Sequence, residues 1–244
     1  MIIGGLQKLT LIDFPDRLAA TVFLAGCSFR CPWCYSSELV LPEKIGKHPT
    51  ISEKEFFDFL KEKQGLLDGV VICGGEPTTD NNLPDFAKKI KEFGYAIKLD
   101  TNGTNPAMLE NLIDKILVDY IAMDIKAPFA AKFEILNPKF GISNYERAVG
   151  VKVDLEKIRK SVKIIKNSGI DYEFRSTVVP GIHTKEDIIQ IAKDISPAKK
   201  YYLQNFRPEK TLDPKFEKIR PYRREYLLEI QKAISPFFDI CRIR

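Results

Sequence analysis

Three cysteines within eight residues are the part of this sequence best suited to chemistry. Cys27, Cys31 and Cys34 are spaced as C-x3-C-x2-C in a segment that also contains Gly26 and Pro32. Soft thiolates select iron–sulfur clusters, zinc or copper(I). Three thiolates on one short loop can bind three irons of a cubane cluster and leave the fourth iron open to a substrate. The spacing therefore predicts a redox-active iron–sulfur cluster with one iron that lacks a protein ligand.

Two other interpretations of the cysteines remain open at this point. Structural zinc requires four ligands, and the residues that could complete the set all lie far along the chain, namely His48, Cys73, His183 and Cys241. The cysteines could also be small buried hydrophobic residues. The chain has five cysteines, and this odd number argues against a disulfide framework and favours metal chemistry in a reducing compartment.

Short apolar runs, most of them followed by a helical pattern, must position this loop. Helix caps are indicated by Ser52 with Glu55, Asn105 with Pro106, Asp154, and Thr184 with Asp187. Such alternation predicts parallel strands and an α/β fold, here a partial, open (βα)6 TIM-like barrel. We expect one domain, 1–244, with a core at about 15–208 and a helical tail at 209–244. The predicted strands are Ala19–Leu24, Val70–Cys73, Ala96–Leu99, Tyr120–Ile125, Tyr172–Val179 and Tyr201–Phe206.

A polar cluster lies at or near the carboxyl end of each of the six predicted strands. The carboxyl ends of parallel strands meet at one rim, which is where such folds place their functional groups. We therefore expect the clusters to form one site. They are the cysteine loop, Gly74-Gly75-Glu76-Pro77, Asp100-Thr101-Asn102-Gly103, Asp124-Ile125-Lys126, Arg175-Ser176-Thr177 and Gln204-Asn205.

The cysteine motif, C-x3-C-x-aromatic-C with Trp33 as the aromatic residue, resembles the radical S-adenosylmethionine superfamily. The resemblance implies a 4Fe–4S cluster on Cys27, Cys31 and Cys34. It also implies that the open iron binds the methionine end of S-adenosylmethionine, and that reduction cleaves this ligand to a 5′-deoxyadenosyl radical. The protein would then supply binding, orientation and exclusion of water.

The next two motifs extend this resemblance. Gly74, Gly75 and Glu76 resemble the motif of the superfamily that meets the amino group of the methionine moiety. The glycines would allow close backbone approach to the ligand. Glu76 would present a carboxylate to the ammonium. Cys73, just before this motif, is predicted to be a packed strand residue.

The later motifs resemble glycyl-radical enzyme activases, including pyruvate formate-lyase activating enzyme. Asp100-Thr101-Asn102-Gly103 is similar to their DTNG motif, and Asp124-Ile125-Lys126 is similar to their D-x-K motif. The resemblance implies that the two aspartates and Thr101 hold a monovalent cation beside the carboxylate of the ligand, with Lys126 at the same end. Arg175 begins a segment that is similar to R-x-x-V-V-P-G and would pair with a carboxylate.

The resemblance covers about 3–208 and implies an activase that forms a glycyl radical on a large partner enzyme. The opening Gly4–Lys8 and Ile12–Pro15 are similar to anaerobic ribonucleotide reductase activating proteins, so such a reductase is the expected partner. Reduced flavodoxin or ferredoxin is the expected electron donor. Many activases follow the third cysteine with His-Asn, whereas this chain has Tyr35-Ser36. Two alternatives are a radical enzyme acting on a small molecule, similar to 7-carboxy-7-deazaguanine synthase, and a non-catalytic zinc-binding interaction module.

Charge and composition exclude other classes of function. The net charge of +5 is spread along the chain without the interleaved basic and aromatic residues of a nucleic-acid-binding surface. No apolar run reaches the length of a membrane span, and the N-terminus does not resemble a signal peptide, so the expected location is cytoplasmic. The densest basic run contains Lys218, Arg220, Arg223 and Arg224. We predict a solvated helix face there, with docking of a partner as the alternative.

Overall fold

One eight-stranded sheet organises the protein. The computed structural model describes residues 1–129 and 143–244. The strands lie in the sheet in chain order, with β1 antiparallel to β2 and each later strand parallel to the one before it. They are β1 (Ile3–Thr10), β2 (Ala19–Leu24), β3 (Gly69–Gly74), β4 (Ala96–Thr101), β5 (Tyr120–Asp124), β6 (Asp171–Val178), β7 (Ala198–Asn205) and β8 (Phe238–Ile243).

Helices connect the parallel strands, and their starts follow the caps expected from the sequence. Side chains of Ser52, Asn105, Asp154 and Thr184 each accept a hydrogen bond from the first turn of the helix that they precede. The helices are α1 (Ser37–Val40), α2 (Pro42–Ile45), α3 (Glu53–Glu62), α4 (Leu83–Glu92), α5 (Pro106–Asp114), α6 (Asn144–Val149), α7 (Leu155–Asn167), α8 (Lys185–Ile195) and α9 (Arg224–Ile234).

The six predicted parallel strands and the open, barrel-like α/β architecture are confirmed. Two edge strands were not predicted. The antiparallel strand β1 joins β2, and β8 joins β7 within the segment 209–244 that was predicted to be only helical. This segment therefore contains both α9 and a strand of the sheet. Both edge strands are mostly half-buried or exposed, so they lack the continuous apolar run of a buried strand.

The two faces of the sheet have different chemistry. One face packs against the helices in a single large core that includes Ile72, Leu99, Met123 and Phe174. On the other face, a small apolar group of Phe14, Ala19, Val71 and Tyr120 occupies the concave side. Charged residues of β4, β5 and β6 share that concave side and lie nearer the carboxyl ends of the strands. The fold thus places ionic groups inside the open barrel, close to the rim that carries the cysteine loop.

Among the described residues, no helix combines the length and apolar character that crossing a bilayer would require.

Candidate active site at the carboxyl ends of the strands

The cysteine loop leaves β2 and is fixed at its start by Gly75 and Glu76, which directly follow β3. The backbone N–H of Gly75 donates to the carbonyl of Leu24 at 2.8 Å, and the N–H of Glu76 donates to the carbonyl of Gly26 at 2.7 Å. A Cβ on Gly75 would collide with the carbonyl oxygen of Gly26. The glycine is therefore needed for close approach of β3 to the cysteine loop, whereas the sequence predicted close approach to a ligand.

The middle of the loop is held by the end of α6. The N–H of Arg30 donates to the carbonyl of Val149 at 2.8 Å, and the indole Nε1 of Trp33 donates to the carbonyl of Ala148 at 3.1 Å. Gly150, which ends α6, has a φ of 73°, and a Cβ there would also meet the carbonyl of Arg30. A left-handed glycine thus allows the helix end to contact the loop directly.

The end of the loop is held by a segment that follows β7. The N–H of Leu212 donates to the carbonyl of Cys34 at 2.7 Å, and the N–H of Asp213 donates to the carbonyl of Pro32 at 2.8 Å. The loop that carries the three thiols is therefore fixed by backbone contacts from three separate parts of the chain. Sequence inspection assigned no role to this later segment.

The three thiols lie in partly or fully buried positions. Burial raises the pKa of Cys27 to about 11 and the pKa of Cys31 to about 12, and it also raises the pKa of Cys34. The backbone N–H of Phe29 donates to Sγ of Cys27 at 3.3 Å, which favours a thiolate there. Negative charge on any one thiolate would raise the pKa values of its neighbours, so a bound cation or metal cluster would favour all three thiolates together.

The donor set fits an iron–sulfur cluster better than a single metal ion. Among residues 1–129 and 143–244, no group of three or more Cys, His, Asp or Glu side chains lies where it could bind one metal ion. A cubane cluster makes a different demand, because each thiolate binds a separate iron. Three thiols on one loop, with soft sulfur atoms as the only donors, meet that demand.

The Glu76 carboxylate is buried and already has hydrogen-bond donors from the protein. Oε1 accepts from the backbone and hydroxyl of Thr78 and from the hydroxyl of Thr101 at 2.7 Å. Oε2 accepts from the backbone N–H of Asn102 at 2.6 Å. Burial raises the pKa of Glu76, and these hydrogen bonds oppose that rise. Glu76 thus joins the ends of β3 and β4, and its contact with a ligand ammonium stays a prediction.

Asn102 continues this connection to the cysteine loop. Its side-chain nitrogen donates to the hydroxyl of Ser28 at 3.1 Å, and its side-chain oxygen accepts from the backbone and hydroxyl of Thr104. Gly103 has a φ of 76°. The motif Asp100-Thr101-Asn102-Gly103 is therefore a turn that positions the loop from the side of β4.

A row of ion pairs, called the ion row below, crosses the ends of β4, β5 and β6. Its members are Lys98, Asp100, Arg175, Asp124 and Lys126. Arg175 donates through Nε to Asp124 at 2.8 Å and through Nη1 to Asp100 at 2.9 Å. Lys98 pairs with Asp100 on one flank, and Lys126 donates to Asp124 at 3.0 Å on the other. Burial alone would raise the pKa values of the two aspartates, but the adjacent basic groups hold both below their usual range.

Lys126 joins this row to the cysteine loop. Its Nζ lies 5.0 Å from the centroid of the Trp33 ring, within the range of a cation–π contact. Its charge also favours the thiolate form of Cys31. The structure thus brings the predicted site residues of five strand ends to one rim.

The row does not fit the predicted monovalent cation. Each of the two carboxylates already pairs with two basic side chains. The hydroxyl of Thr101 points to Glu76 and not to either aspartate. Three basic and two acidic groups leave one positive charge in excess, which favours an anion at this position.

Sequence comparisons identify the family. The profile described as "Radical SAM superfamily" matches residues 21–195, which is most of the chain. The chain belongs to this superfamily. The matched range contains all three cysteines and every strand that carries the ion row.

Three curated relatives show which members of the superfamily the chain is similar to. The Methanocaldococcus jannaschii protein named "Putative glycyl-radical enzyme activating enzyme" is 34% identical, over 100% of this chain and 95% of its own length. The pyruvate formate-lyase 2-activating enzyme of Escherichia coli is 22% identical, over 79% of this chain and 72% of its own. The 7-carboxy-7-deazaguanine synthase of Neisseria meningitidis is 31% identical, but over only 48% of this chain and 47% of its own.

The fold is also seen in a solved structure. SuiB of Streptococcus suis superposes with a TM-score of 0.64 at 14% identity. The match covers 91% of this chain and 48% of that one, so the chain spans about half the length of SuiB. At this identity the likeness concerns the fold alone, and it agrees with the open barrel described above.

His183, which the sequence offered only as a possible zinc ligand, contacts this candidate site. Its Nδ1 accepts from the backbone N–H of Val179 at 3.0 Å, and its Nε2 lies 2.8 Å from the carbonyl of Lys126. These contacts require the neutral tautomer with the proton on Nε2. Burial lowers the pKa of His183 to about 4. His183 thus fixes the backbone of Lys126, and its spacing after Arg175 gave no signal of that contact.

We expect His183 to make stability depend on pH in weakly acidic solution. Unfolded chains take up this proton near pH 6.5, whereas the native imidazole stays neutral down to about pH 4. Stability should therefore fall as pH is lowered through that window, by about 2 kcal/mol between pH 6.5 and 5. Urea unfolding of wild type and His183→Gln at several pH values measures this effect. The difference between the two proteins should shrink towards pH 5, and parallel curves would refute the assignment.

Two further polar contacts had no signal in the sequence. Arg244 pairs with the buried carboxylate of Glu173 through two hydrogen bonds of 2.7 and 2.9 Å, below the ion row on the concave side. Asn205, at the end of β7, donates to the carbonyl of Tyr222, while its buried Oδ1 has no hydrogen-bond partner among the described residues. An unpaired buried oxygen at this rim is suited to accept a hydrogen bond from a ligand.

Proposed function

We propose that this protein reductively cleaves S-adenosylmethionine and uses the resulting radical to form a glycyl radical on a partner enzyme. The observation that carries the proposal is the meeting of the cysteine loop with the ion row through Lys126. This arrangement offers three soft ligands for a cluster beside a net positive position for the ligand carboxylate. Full-length similarity to a protein named as an activating enzyme supports the activase within the superfamily.

Each group of residues has a separate role in this proposal. Cys27, Cys31 and Cys34 hold a 4Fe–4S cluster, which when bound supplies one-electron reduction and an open coordination position. Gly75 and Glu76 position the loop from β3. Asn102 positions it from β4. In this proposal these contacts hold the loop in one geometry.

The ion row supplies charge for the methionine end of the ligand. Arg175 is suited to a carboxylate because its guanidinium donates in a planar fork. Its Nε and Nη1 bind the two aspartates, which fix its orientation. Lys126 lies between this arginine and Trp33 and extends the positive charge towards the cysteine loop. Asp100 and Asp124 are therefore positioning residues in this proposal.

A large protein substrate is consistent with the open sheet. Strands β1 and β8 form the two edges of the sheet and do not pair with each other. An unclosed barrel leaves a lateral opening through which a loop of another protein can enter. Hydrogen abstraction from a glycine Cα is favourable, because the product radical is stabilised between the amide nitrogen and the carbonyl.

Electron paramagnetic resonance tests the proposed function directly. The reconstituted protein is reduced anaerobically and incubated with S-adenosylmethionine and candidate glycyl-radical enzymes, of which an anaerobic ribonucleotide reductase is the first to try. We expect a glycyl-radical doublet that depends on both proteins. A partner whose radical glycine is replaced by alanine is the matched control. If every glycyl-radical enzyme encoded with this chain gave no doublet, while 5′-deoxyadenosine still formed, the activase proposal would be rejected.

A second candidate keeps the radical chemistry and changes the substrate. Sequence similarity to 7-carboxy-7-deazaguanine synthase over about half of the chain favours a reaction on a small pterin-like molecule. Substrate-dependent formation of 5′-deoxyadenosine with such a molecule, and without a protein partner, would support this candidate. Membership of the superfamily argues against the third alternative, a zinc-binding interaction module.

A further inference from the structure

A strongly basic segment lies directly beside the cysteine loop. This segment, residues 207–224, is called the basic strip below. It contains seven basic and three acidic residues, a net charge of +4 against +5 for the whole chain. Six of its basic side chains are exposed and form no ion pair with any described residue. They are Arg207, Lys215, Lys218, Arg220, Arg223 and Arg224.

The basic strip is attached to the backbone of the cysteine loop. Leu212 and Asp213 donate backbone hydrogen bonds to the carbonyls of Cys34 and Pro32, at 2.7 and 2.8 Å. Lys210 adds an ion pair, 3.6 Å long, with Glu38 in the helix that follows the loop. The backbone of the strip therefore contacts directly the backbone that carries Cys34.

The strip also has a fixed position. Phe216 packs edge-to-face on Phe206, with ring centroids 6.3 Å apart. Tyr222 donates through its hydroxyl to the carbonyl of His183 at 2.8 Å and accepts from Asn205 through its own carbonyl at 2.8 Å. These anchors in the middle and near the end of the strip fix its backbone on the protein. A solvated helix face was predicted for Lys218, Arg220, Arg223 and Arg224, but α9 begins only at Arg224. The attachment of the strip to the cysteine loop instead favours docking.

We propose that the basic strip is the docking site for a small acidic one-electron carrier protein, which reduces the cluster through the adjacent loop. This inference rests on the proposed cluster on Cys27, Cys31 and Cys34. The carrier loses one electron and the oxidised cluster gains it, so no other reactant is needed. Charge complementarity raises the association rate of such short-lived complexes by about 10- to 1,000-fold.

The electron carrier fits this surface better than the protein substrate does. The strip contacts the loop through backbone carbonyls of Pro32 and Cys34, whereas the ion row contacts it through the side chain of Trp33. The strip and the ion row thus contact the loop through different groups. Electron transfer requires only a short distance to the cluster, but hydrogen abstraction requires a substrate glycine inside the barrel.

Binding to the metal-free protein gives the first test. The probe is a flavodoxin of net negative charge, and the variant is the triple substitution Lys215→Glu, Lys218→Glu and Arg220→Glu. The matched control is Lys88→Glu, Lys157→Glu and Lys163→Glu, which makes the same charge change on exposed positions of α4 and α7. We expect the strip variant to weaken flavodoxin binding at least about 10-fold at 0.1 M salt, and the control to change it less than about 3-fold.

The second test compares three reductants on the reconstituted proteins. Reduced flavodoxin should support cleavage of S-adenosylmethionine by the strip variant about 10-fold more slowly than by wild type, at carrier concentrations below saturation. Dithionite, an anion, and a reduced viologen, a cation, need no docking surface. Both should therefore give wild-type rates. Opposite changes in these two rates would indicate a general charge effect on reductants and would overturn the docking assignment.

Each result separates this inference from the proposed function. Equal loss of activity with all three reductants would mean that the strip only stabilises the cysteine loop, and it would overturn the docking assignment. Unchanged flavodoxin binding together with unchanged flavodoxin-driven rates would also overturn the docking assignment. Loss of the glycyl-radical doublet with dithionite, but not of flavodoxin-driven cleavage, would assign the strip to the protein substrate. Absence of a doublet in wild type would reject the activase and leave the docking result intact.

Discussion

Replacing Cys31 with alanine is expected to reduce cleavage of S-adenosylmethionine to the background level, because two thiolates cannot hold a cubane cluster with three protein-bound irons. The measurement is 5′-deoxyadenosine formed per protein after anaerobic reconstitution and reduction with dithionite. Bound iron and sulfide should fall in the same variant. Cys31 is only 8% exposed, and alanine leaves its environment apolar, so the free energy of unfolding of the metal-free protein should fall by only about 1 kcal/mol.

Cys241→Ala is the matched control for this prediction. Cys241 lies on the edge strand β8, away from the cysteine loop, and burial raises the pKa of its thiol to about 11. This variant should bind iron and cleave S-adenosylmethionine like wild type. If Cys31→Ala cleaved the ligand at the wild-type rate, the cluster could not be held by these three cysteines, and the proposed chemistry would be wrong.

Replacing Arg175 with methionine is expected to lower the free energy of unfolding by about 3 kcal/mol, because two buried carboxylates would lose their common partner. Lys98 and Lys126 remain beside Asp100 and Asp124. The loss of unfolding free energy should therefore lie near the lower end of the range for a broken buried ion pair. The same variant should bind S-adenosylmethionine at least about 10-fold more weakly, since the ion row would lose its excess positive charge. Urea unfolding and equilibrium binding to the reconstituted protein measure the two effects.

Two variants control for the loss of an arginine. Arg175→Lys keeps the charge but cannot donate to both aspartates from one planar group, so both effects should be intermediate. Arg224→Met removes an exposed arginine at the start of α9 and should change stability by less than about 0.5 kcal/mol. If Arg175→Met were as stable as wild type, the buried charges of Asp100 and Asp124 would not depend on Arg175 for compensation.

Much of the fold followed from local patterns in the sequence. Among the six central strands, β2 and β3 are short, mostly apolar runs, as expected for parallel strands buried on both faces. Strands β4 and β6 combine such apolar residues with charged residues on the concave side. Their helices begin at polar caps whose side chains bind the first turn. The edge strands β1 and β8 lacked such a signal, since an edge strand is buried by neighbours that are distant in sequence. Their pairing with β2 and β7 could be seen only in the assembled sheet.

The sequence by itself determined which groups gather at the rim, because strand ends of a parallel sheet share one edge. It did not determine which of those groups bind each other. Glu76 is predicted to face a ligand, and only three-dimensional packing shows that its oxygens also accept hydrogen bonds from Thr78, Thr101 and Asn102. The predicted cation position is likewise filled by the charge of Arg175. Buried polar groups must be paired, and the nearest partner in space is decided by packing.

The support of the cysteine loop was decided entirely by tertiary structure. Ala148, Val149 and Leu212 hold the loop through backbone groups, and every residue except proline carries the same backbone donor and acceptor. No side-chain pattern can therefore reveal such contacts in a sequence. For the three thiols, in contrast, residue type and spacing alone predict the chemistry. Side-chain chemistry is local and can be read from the sequence, whereas the backbone contacts that position it arise only when distant segments pack together.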